Sequence, residues 1–250
     1  MQVQMGTHRQ PLELFFLGSG NAFAPQRYWS SFLLNGRYLF DAPPTALAHL
    51  KRAGRSVDDI DVVFISHFHG DHFFGLPFLL LEYAELSHRS RDLHIVGPPG
   101  IQEKIEQLTE LGFPGLIEKG AYQRRYIEVN DGSKGSAEGA QFEAVRVDHV
   151  SALECYGYNV RLGNRSVSYS GDALMGESVR RLARECDVFV VECSCWGDQC
   201  GPHLNPRDIA QLRRETPLST TFILTHLDAG ADDMGLEGIL VAEDFSKFEF

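Results

Sequence analysis

The sequence predicts an α/β protein in which two β-sheets carry helices on their outer faces. Short apolar runs rich in Val, Ile, Phe and Tyr recur along the chain, as expected of strands. Some of these runs follow one another as hairpins do, and others alternate with helical patterns. Such a mixture is typical of sheets that are covered by helices. With 43% hydrophobic residues in 250, the chain can also bury a substantial core.

The strands are expected in the short apolar runs, each bounded by turn-forming residues. They are predicted at residues 12–17, 31–34, 38–40, 61–65, 93–96, 126–129, 141–147, 156–160, 166–169, 188–191 and 221–224. The C-terminal segment GILVAEDFSKFEF indicates one final strand. Helices are predicted at residues 45–53, 73–86, 100–111, 177–184 and 206–214. The last helix has clear start signals, because Asn205 can cap it and Pro206 suits its first turn.

The chain contains no low-complexity linker that would divide it. Residues 130–140 (NDGSKGSAEGA) are rich in Gly and Ser, and this stretch is typical of a hairpin-type loop between two strands. We therefore expect one domain that spans residues 1–250.

The charge of the chain argues against a nucleic acid partner. The formal net charge is −11, so the surface should repel polyanions. The nearest basic groups are Arg180, Arg181, Arg184, Arg213 and Arg214, and all lie in predicted helices, where they are expected to form solvated faces. A small-molecule substrate is the expected partner, and the sequence leaves the oligomeric state open, a homodimer included.

Composition also suggests where the protein works. No run of about 18 uncharged apolar residues occurs, so no membrane span is expected. The N-terminus lacks a basic start followed by a long apolar run, which argues against a secretory signal. The five cysteines are an odd number without the spacing of a disulfide framework. A reducing cytoplasm is therefore the predicted location.

The strongest motif lies in the segment VVFISHFHGDH, residues 62–72. An apolar strand ends near Ser66, and four potential metal ligands follow within six positions: His67, His69, Asp71 and His72. In extended chain, alternate side chains share a face, so His67 and His69 can point at one ion. Because the chain then turns at Gly70, Asp71 and His72 can face a second ion. Imidazole and carboxylate ligands suit zinc, with manganese or iron as alternatives.

The motif HFHGDH resembles the signature of the metallo-β-lactamase superfamily. This resemblance implies a four-layer αβ/βα sandwich with two divalent metal ions between the sheets. It also implies three more ligands, and each has a match after a predicted strand: His149 after FEAVRV, Asp172 in YSGDA and His226 at the end of FILTH. By the resemblance, one metal is held by His67, His69 and His149. The other is held by Asp71, His72 and His226, and Asp172 bridges the two.

Two residue identities favour a hydrolytic site with two metals. Position 69 is His, where redox di-iron relatives have Glu, and position 172 is Asp, where one lactamase branch has Cys. His203, in GPHLNPRDIA, resembles the additional histidine of the phosphodiesterase branch, which includes ribonuclease Z and small cyclic-phosphate phosphodiesterases. The resemblance implies that His203 stabilises the phosphoryl group or protonates the leaving oxygen. Asp71 and His203 are therefore the predicted catalytic residues.

One departure from ribonuclease Z narrows the expected substrate. Those enzymes carry a long, flexible, basic arm between the third and fourth motifs, but only 23 positions separate His149 from Asp172 here. Hydrolysis of a small or cyclic phosphodiester is thus the expected activity. The alternatives are a thioester, lactone or sulfate-ester hydrolase, RNA processing of the ribonuclease Z type, and a non-catalytic metal-bound effector-binding protein.

Two smaller features complete the sequence-based predictions. Cys193, Cys195, Cys200 and His203 could bind a structural zinc instead, although their spacing is not that of a standard zinc finger. The Gly-rich segment LGSGNAFAP, residues 17–25, is expected to form a turn that supports Asp41 and the metal-binding loop. Asp41 itself is expected to orient a metal ligand through a hydrogen bond.

Overall fold

A computed structural model describes residues 11–87, 89–196 and 201–250, and its strands form two seven-stranded sheets. In chain order the strands are β1 (Glu13–Gly18), β2 (Ser31–Leu34), β3 (Tyr38–Phe40), β4 (Val62–Phe64), β5 (Leu93–Gly97), β6 (Arg124–Glu128), β7 (Lys134–Ala137), β8 (Ala140–Val147), β9 (Cys155–Leu162), β10 (Arg165–Tyr169), β11 (Val188–Glu192), β12 (Thr221–Thr225), β13 (Ile239–Val241) and β14 (Lys247–Glu249). The eleven predicted strands are all present, with ends that differ by a few residues.

The α-helices are α1 (Ala46–Arg52), α2 (Gly70–Phe73), α3 (Leu76–Glu82), α4 (Ile101–Gly112), α5 (Glu177–Arg184) and α6 (Pro206–Glu215). The single helix predicted over residues 73–86 was wrong, because α2, α3 and a π-helical turn (Tyr83–Ser87) occupy this region. The break falls at Gly75, where a Cβ atom would lie 2.0 Å from the carbonyl oxygen of Pro43. The chain can pass so close to another backbone only with glycine.

Both sheets are mixed. The first has the strand order β14-β1-β2-β3-β4-β5-β6, and the second has the order β13-β12-β11-β10-β9-β8-β7.

The C-terminal segment forms two strands rather than the one expected, and each joins a different sheet. The predicted loop at residues 130–140 contains β7, which pairs with β8. Its sequence KGSA has little strand propensity, so pairing with the neighbouring strand determines its conformation.

Three buried clusters show that the layers form an αβ/βα sandwich, as predicted. Along β1, Leu14 and Phe16 face the space between the sheets, whereas Phe15 and Leu17 face the outer helices. Helices α1, α3 and α4 cover the first sheet. Helices α5 and α6 cover the second sheet. In the part of the chain that is described, no helix is long and apolar enough to cross a membrane.

Aromatic rings occupy the centre of the space between the sheets. The rings of Phe32 and Phe40 stack with centroids 4.5 Å apart, and those of Phe40 and Phe64 stack at 4.9 Å. Tyr169, on the second sheet, meets Phe32 and Phe40 edge-on. Phe40 therefore packs against rings from both sheets.

Phe40→Ala is expected to lower the free energy of unfolding by about 3–5 kcal/mol, because it leaves a cavity inside this stack. The measurement is urea-induced unfolding of the protein stripped of metal by a chelator, so that metal binding does not contribute. Leu218→Ala is the control, since Leu218 is 69% exposed and should change the value by less than about 0.5 kcal/mol. Equal effects of the two variants would contradict this account of the core.

Candidate active site

The candidate site lies at one edge of the sandwich, where loops leave the carboxyl ends of several strands. His67 follows β4, His149 follows β8, Asp172 follows β10 and His226 follows β12. Strands β8, β10 and β12 all run in the same direction, because β8 and β10 are both antiparallel to β9, and β10, β11 and β12 are parallel. Their loops therefore meet at one end of the second sheet, opposite the loop that follows β4.

Three histidines form the first group of potential ligands. Nε2 of His67 lies 2.9 Å from Nδ1 of His69, and Nε2 of His149 lies 3.4 Å from the same Nδ1 atom. These three nitrogens and a carboxylate oxygen of Asp172 all lie within 4.8 Å of one another. Such convergence of imidazole nitrogens and a carboxylate is typical of a metal site.

A second group consists of Asp71, His72 and His226. Nε2 of His72 and Nε2 of His226 are each 3.5 Å from Oδ2 of Asp71. Nε2 of His72, Nε2 of His226 and Oδ1 of Asp172 are buried and have no hydrogen-bond partner. Buried polar atoms without partners are rare in proteins. Because both Nε2 atoms lie close to Oδ2 of Asp71, these side chains fit a bound cation.

Asp172 lies between the two groups. Its Oδ2 atom is 3.9 Å from Nε2 of His67, 3.8 Å from Nε2 of His149 and 3.4 Å from Nε2 of His72. The structure thus brings together all seven residues that the sequence singled out as ligands, and Asp172 occupies the central position expected of a bridging residue.

The electrostatics of the site also suit cations. Burial lowers the pKa of His67, His69 and His149, which keeps these rings neutral and able to act as ligands. Burial opposes the charge of His72 as well, but the carboxylates of Asp172 and Asp41 outweigh it and raise the pKa of His72 well above its usual value. Burial acts to raise the pKa of Asp172, yet His226, His72 and His67 hold it well below its usual value. The carboxylate of Asp172 is therefore ionised.

Asp41 orients one of the histidines, as the sequence indicated. Its buried carboxylate accepts a hydrogen bond from Nδ1 of His72 at 2.7 Å, and further bonds from the backbone and hydroxyl of Ser66 and the hydroxyl of Tyr169. With Nδ1 held in this way, Nε2 of His72 points into the site. Asp41 has a φ of 55°, a left-handed conformation that is uncommon outside glycine and that often marks functional sites.

The other three buried histidines of the site also have a hydrogen-bond partner at Nδ1, although Nδ1 of His226 lies 3.5 Å from Oδ1 of Asp172 as well. Nδ1 of His67 lies 3.0 Å from the Ser66 hydroxyl, Nδ1 of His149 lies 2.8 Å from the carbonyl oxygen of Pro202, and Nδ1 of His226 lies 2.6 Å from the Ser194 hydroxyl. Such partners fix ring orientation and leave the opposite nitrogen available.

His203 lies beside the two groups and is paired with a buried carboxylate. Its Nδ1 atom is 2.9 Å from Oε1 of Glu192 and 3.9 Å from Oδ2 of Asp172. Burial acts to lower the pKa of His203, but the hydrogen bond and charge of Glu192 outweigh burial, and the net pKa is raised. Glu192 was not among the predicted residues. Its only signal in the sequence is an acidic residue at the end of the apolar strand VFVVE.

The ligand groups open into a cavity of about 570 Å³, lined in part by His69, Asp71, His149, Asp172, His203 and His226. Asn21, Ala22 and Phe23 form part of its rim. This Gly-rich segment supports the loop of His226, because backbone hydrogen bonds join Ser19 and Asn21 to Leu227. Its predicted support of Asp41 stays a prediction. No Lys or Arg lines the cavity among the described residues.

The four residues that could instead bind a structural zinc are Cys193, Cys195, Cys200 and His203. Cys200 lies outside the described residues. Cys193 is fully buried among the apolar side chains under α5 and α6. His203 faces Glu192 and Asp172. The structural zinc site stays a prediction.

Comparisons with known proteins agree with this geometry. A family model described as Anti-Pycsar protein Apyc1 matches residues 12–237. Ribonuclease Z of Methanosarcina mazei is 25% identical over 305 aligned positions, which cover 95% of this chain and 98% of that protein. The alignment is longer than this chain, so that relative contains segments that this chain lacks. Ribonuclease Z of Clostridium perfringens is 31% identical over 169 residues, and the match spans only about half of that protein (53%) and 62% of this chain.

Solved structures show the same fold. Human tRNase Z, short form, has a TM-score of 0.77 at 24% identity, covering 94% of this chain and 98% of that one. The metallo-β-lactamase fold protein YhfI from Bacillus subtilis has a TM-score of 0.77 at 19% identity, covering 96% of this chain and all (100%) of that one. A diphosphatase from the PhnP family has a TM-score of 0.73 at 22% identity, covering 96% of this chain and 98% of that one.

Proposed function

Because the chain belongs to the Anti-Pycsar protein Apyc1 family and is a metal-dependent hydrolase of the metallo-β-lactamase superfamily, we propose that it cleaves a small or cyclic phosphodiester. Relatives named ribonuclease Z and a diphosphatase of the PhnP family support phosphorus–oxygen bond hydrolysis as the reaction class.

The proposed metal centre consists of two divalent ions, zinc being the expected metal. His67, His69 and His149 would hold one, Asp71, His72 and His226 would hold the other, and Asp172 would contact both. The buried, unpartnered ligand atoms of His72, Asp172 and His226 support this assignment. Divalent ions in such a site act as Lewis acids on a phosphoryl group and provide a nucleophile at neutral pH.

His203 is proposed to protonate the oxygen that leaves phosphorus. Its Nδ1 atom is held by Glu192, so Nε2 is the nitrogen that can donate a proton to the substrate. The raised pKa of His203 favours the protonated form that can act as an acid. Asp71 lines the same cavity, and its carboxylate is proposed to orient the attacking nucleophile as well as to bind metal.

The observation that carries the substrate class is the lining of the cavity. A volume of about 570 Å³ lies within the range of small-molecule sites. Since the described lining contains no Lys or Arg, the substrate's negative charge would be met by the metal centre and His203 alone. That arrangement suits one phosphodiester group. It does not suit RNA, whose successive phosphates require a basic surface.

The segment between the third and fourth motifs supports the same conclusion. Strands β9 and β10 fill the interval from His149 to Asp172, so no arm for gripping RNA is present there. The net charge of −11 would also slow the approach of a polyanion, most of all at low salt.

We expect efficient cleavage of small phosphodiesters and poor processing of precursor tRNA. The measurement compares kcat/KM for bis(p-nitrophenyl) phosphate, a cyclic nucleotide, a cyclic sugar phosphate and a precursor tRNA. A chromogenic thioester, a lactone and a sulfate ester serve as controls for the other reaction classes. Site-specific tRNA cleavage with weak small-substrate activity would contradict the proposed substrate, and rapid thioester hydrolysis without phosphodiester turnover would contradict the proposed reaction. Absence of turnover on the whole panel would favour a non-catalytic effector-binding protein.

A further inference from the structure

Ser194 follows strand β11, and its hydroxyl group lies against His226. The Oγ atom of Ser194 is 2.6 Å from Nδ1 of His226, 2.7 Å from the carbonyl oxygen of His226 and 2.8 Å from Oε2 of Glu192. The sequence did not indicate a role for Ser194, because it lies between two cysteines that were themselves the candidate ligands.

The number of protons available determines which atom donates in the contact between Oγ of Ser194 and Nδ1 of His226. A serine hydroxyl has one proton to donate, and two of its three neighbours, the Glu192 carboxylate and the His226 carbonyl, can only accept. If Oγ donates to either oxygen, it can also accept from Nδ1–H, which gives two hydrogen bonds. If Oγ donated to Nδ1, there would be one hydrogen bond, and both oxygens would face lone pairs of Oγ at 2.7 and 2.8 Å. The first arrangement is the more stable, and it places the hydrogen of the neutral ring on Nδ1. The tautomer so defined has an unprotonated Nε2.

The unprotonated Nε2 of His226 is the atom that faces the second ligand group. It is buried, lacks a hydrogen-bond partner and lies 3.5 Å from Oδ2 of Asp71. The backbone of His226 has a φ of 53°, a conformation that persists in a non-glycine residue only where the surroundings fix it. Ser194 contacts both the ring and the carbonyl of His226, so it holds this residue at two points.

Glu192 extends the arrangement to His203. Oε2 of Glu192 accepts from the backbone N–H and the hydroxyl of Ser194, whereas Oε1 accepts from His203 and from the backbone N–H groups of Ala173 and Leu204. One fully buried carboxylate therefore positions both Ser194 and His203.

We propose that Ser194 is a positioning residue that fixes the Nδ1-protonated tautomer of His226 and thereby aims Nε2 at the metal ion held with Asp71 and His72. This assignment rests on the two-metal site proposed above. Its consequence is specific to one of the two ions, because Ser194 contacts none of His67, His69 and His149 among the hydrogen bonds of the described residues.

The test is zinc titration of the metal-free protein in competition with a chromophoric chelator, which gives a dissociation constant for each ion without any activity measurement. Ser194→Ala should weaken binding of one zinc by about 10- to 100-fold, the usual effect of removing a partner that orients a ligand, and should leave the other zinc unchanged. Ser194→Thr keeps the hydroxyl and should keep the affinity. Ser168→Ala is the matched control, since Ser168 is fully buried and its hydroxyl bonds Asn159 outside the site.

The outcomes separate this proposal from the proposed function. If the unmodified protein binds two zinc ions and Ser194→Ala binds both as tightly, the role of Ser194 is wrong and the two-metal site stands. Equal weakening by Ser194→Thr, or equal loss of both ions with a lower unfolding midpoint of the metal-free protein, would also overturn that role. If the unmodified protein binds a single zinc, the two-metal proposal fails and the role of Ser194 fails with it.

Discussion

Asp172→Ala is expected to lose bound metal and activity together. The carboxylate of Asp172 lies within reach of both ligand groups, with Oδ2 at 3.4 Å from Nε2 of His72 and 3.8–3.9 Å from Nε2 of His67 and His149. Its removal takes a ligand from each proposed ion. It also removes a negative charge that offsets the positive charge of the two ions. The loss of affinity should therefore exceed the roughly 10- to 100-fold effect of losing an orienting partner.

Elemental analysis of protein purified without chelator gives the metal content, and bis(p-nitrophenyl) phosphate hydrolysis gives the activity. We expect about two metal ions per chain in the unmodified protein and background levels of both readouts in the variant. Asp187→Ala is the control for loss of a carboxylate in the same sheet, because Asp187 bonds Ser166 and pairs with Arg165, away from the site. A variant that retains two ions, or an unmodified protein with one ion even after metal supplementation, would contradict the bridging role of Asp172.

The sequence predicted which seven side chains come together, because that information is local. His67, His69, Asp71 and His72 lie within six positions, directly after an apolar strand, and the turn at Gly70 divides them between two directions. His149, Asp172 and His226 each follow a strand, so a fold that brings strand ends to one edge also brings these side chains together. The arrangement of sheets inside and helices outside was also predictable from local sequence, because strands buried on both faces appear as continuous apolar runs.

The residues that hold the ligands could not be predicted in the same way. Glu192 and Ser194 act through contacts to His203 and His226, which are 11 and 32 positions away along the chain. Tyr169 reaches Asp41 across 128 positions. The first two pairs depend on how the loops after β11 and β12 fold and meet, and the third depends on how the two sheets pack. Strand β7 was missed because its pairing with β8, rather than its own composition, makes it a strand.

His203→Ala is expected to keep both metal ions and to lose turnover. His203 lies beside the ligand groups, but its Nδ1 atom is bonded to Glu192. Its alanine variant should therefore retain the metal content of the unmodified protein. General acid catalysis contributes roughly 10²–10⁴-fold, so kcat should fall by that factor while KM changes little. His94→Ala is the control, since His94 is a partly buried histidine near Glu138 and outside the cavity.

The leaving group distinguishes a proton donor from a residue that only supports the fold. A p-nitrophenolate ion leaves readily without a proton, whereas a sugar alkoxide does not, so His203→Ala should slow a cyclic sugar phosphate more than bis(p-nitrophenyl) phosphate. Equal losses on both substrates would contradict the role of acid. Loss of a third zinc together with easier unfolding would instead favour the structural site of Cys193, Cys195, Cys200 and His203.

The pH dependence of kcat gives the second test of His203. The acid form of His203 is present below its pKa and is lost as the pH rises through it. Burial alone would lower that pKa, but Glu192 raises it above the usual 6.5, so the unmodified enzyme should lose turnover on an alkaline limb that lies above that of a free histidine. Glu192→Gln removes the charge that opposes burial, so the alkaline limb should move to lower pH. An alkaline limb that stays in place in Glu192→Gln would show that a group other than His203 supplies the proton.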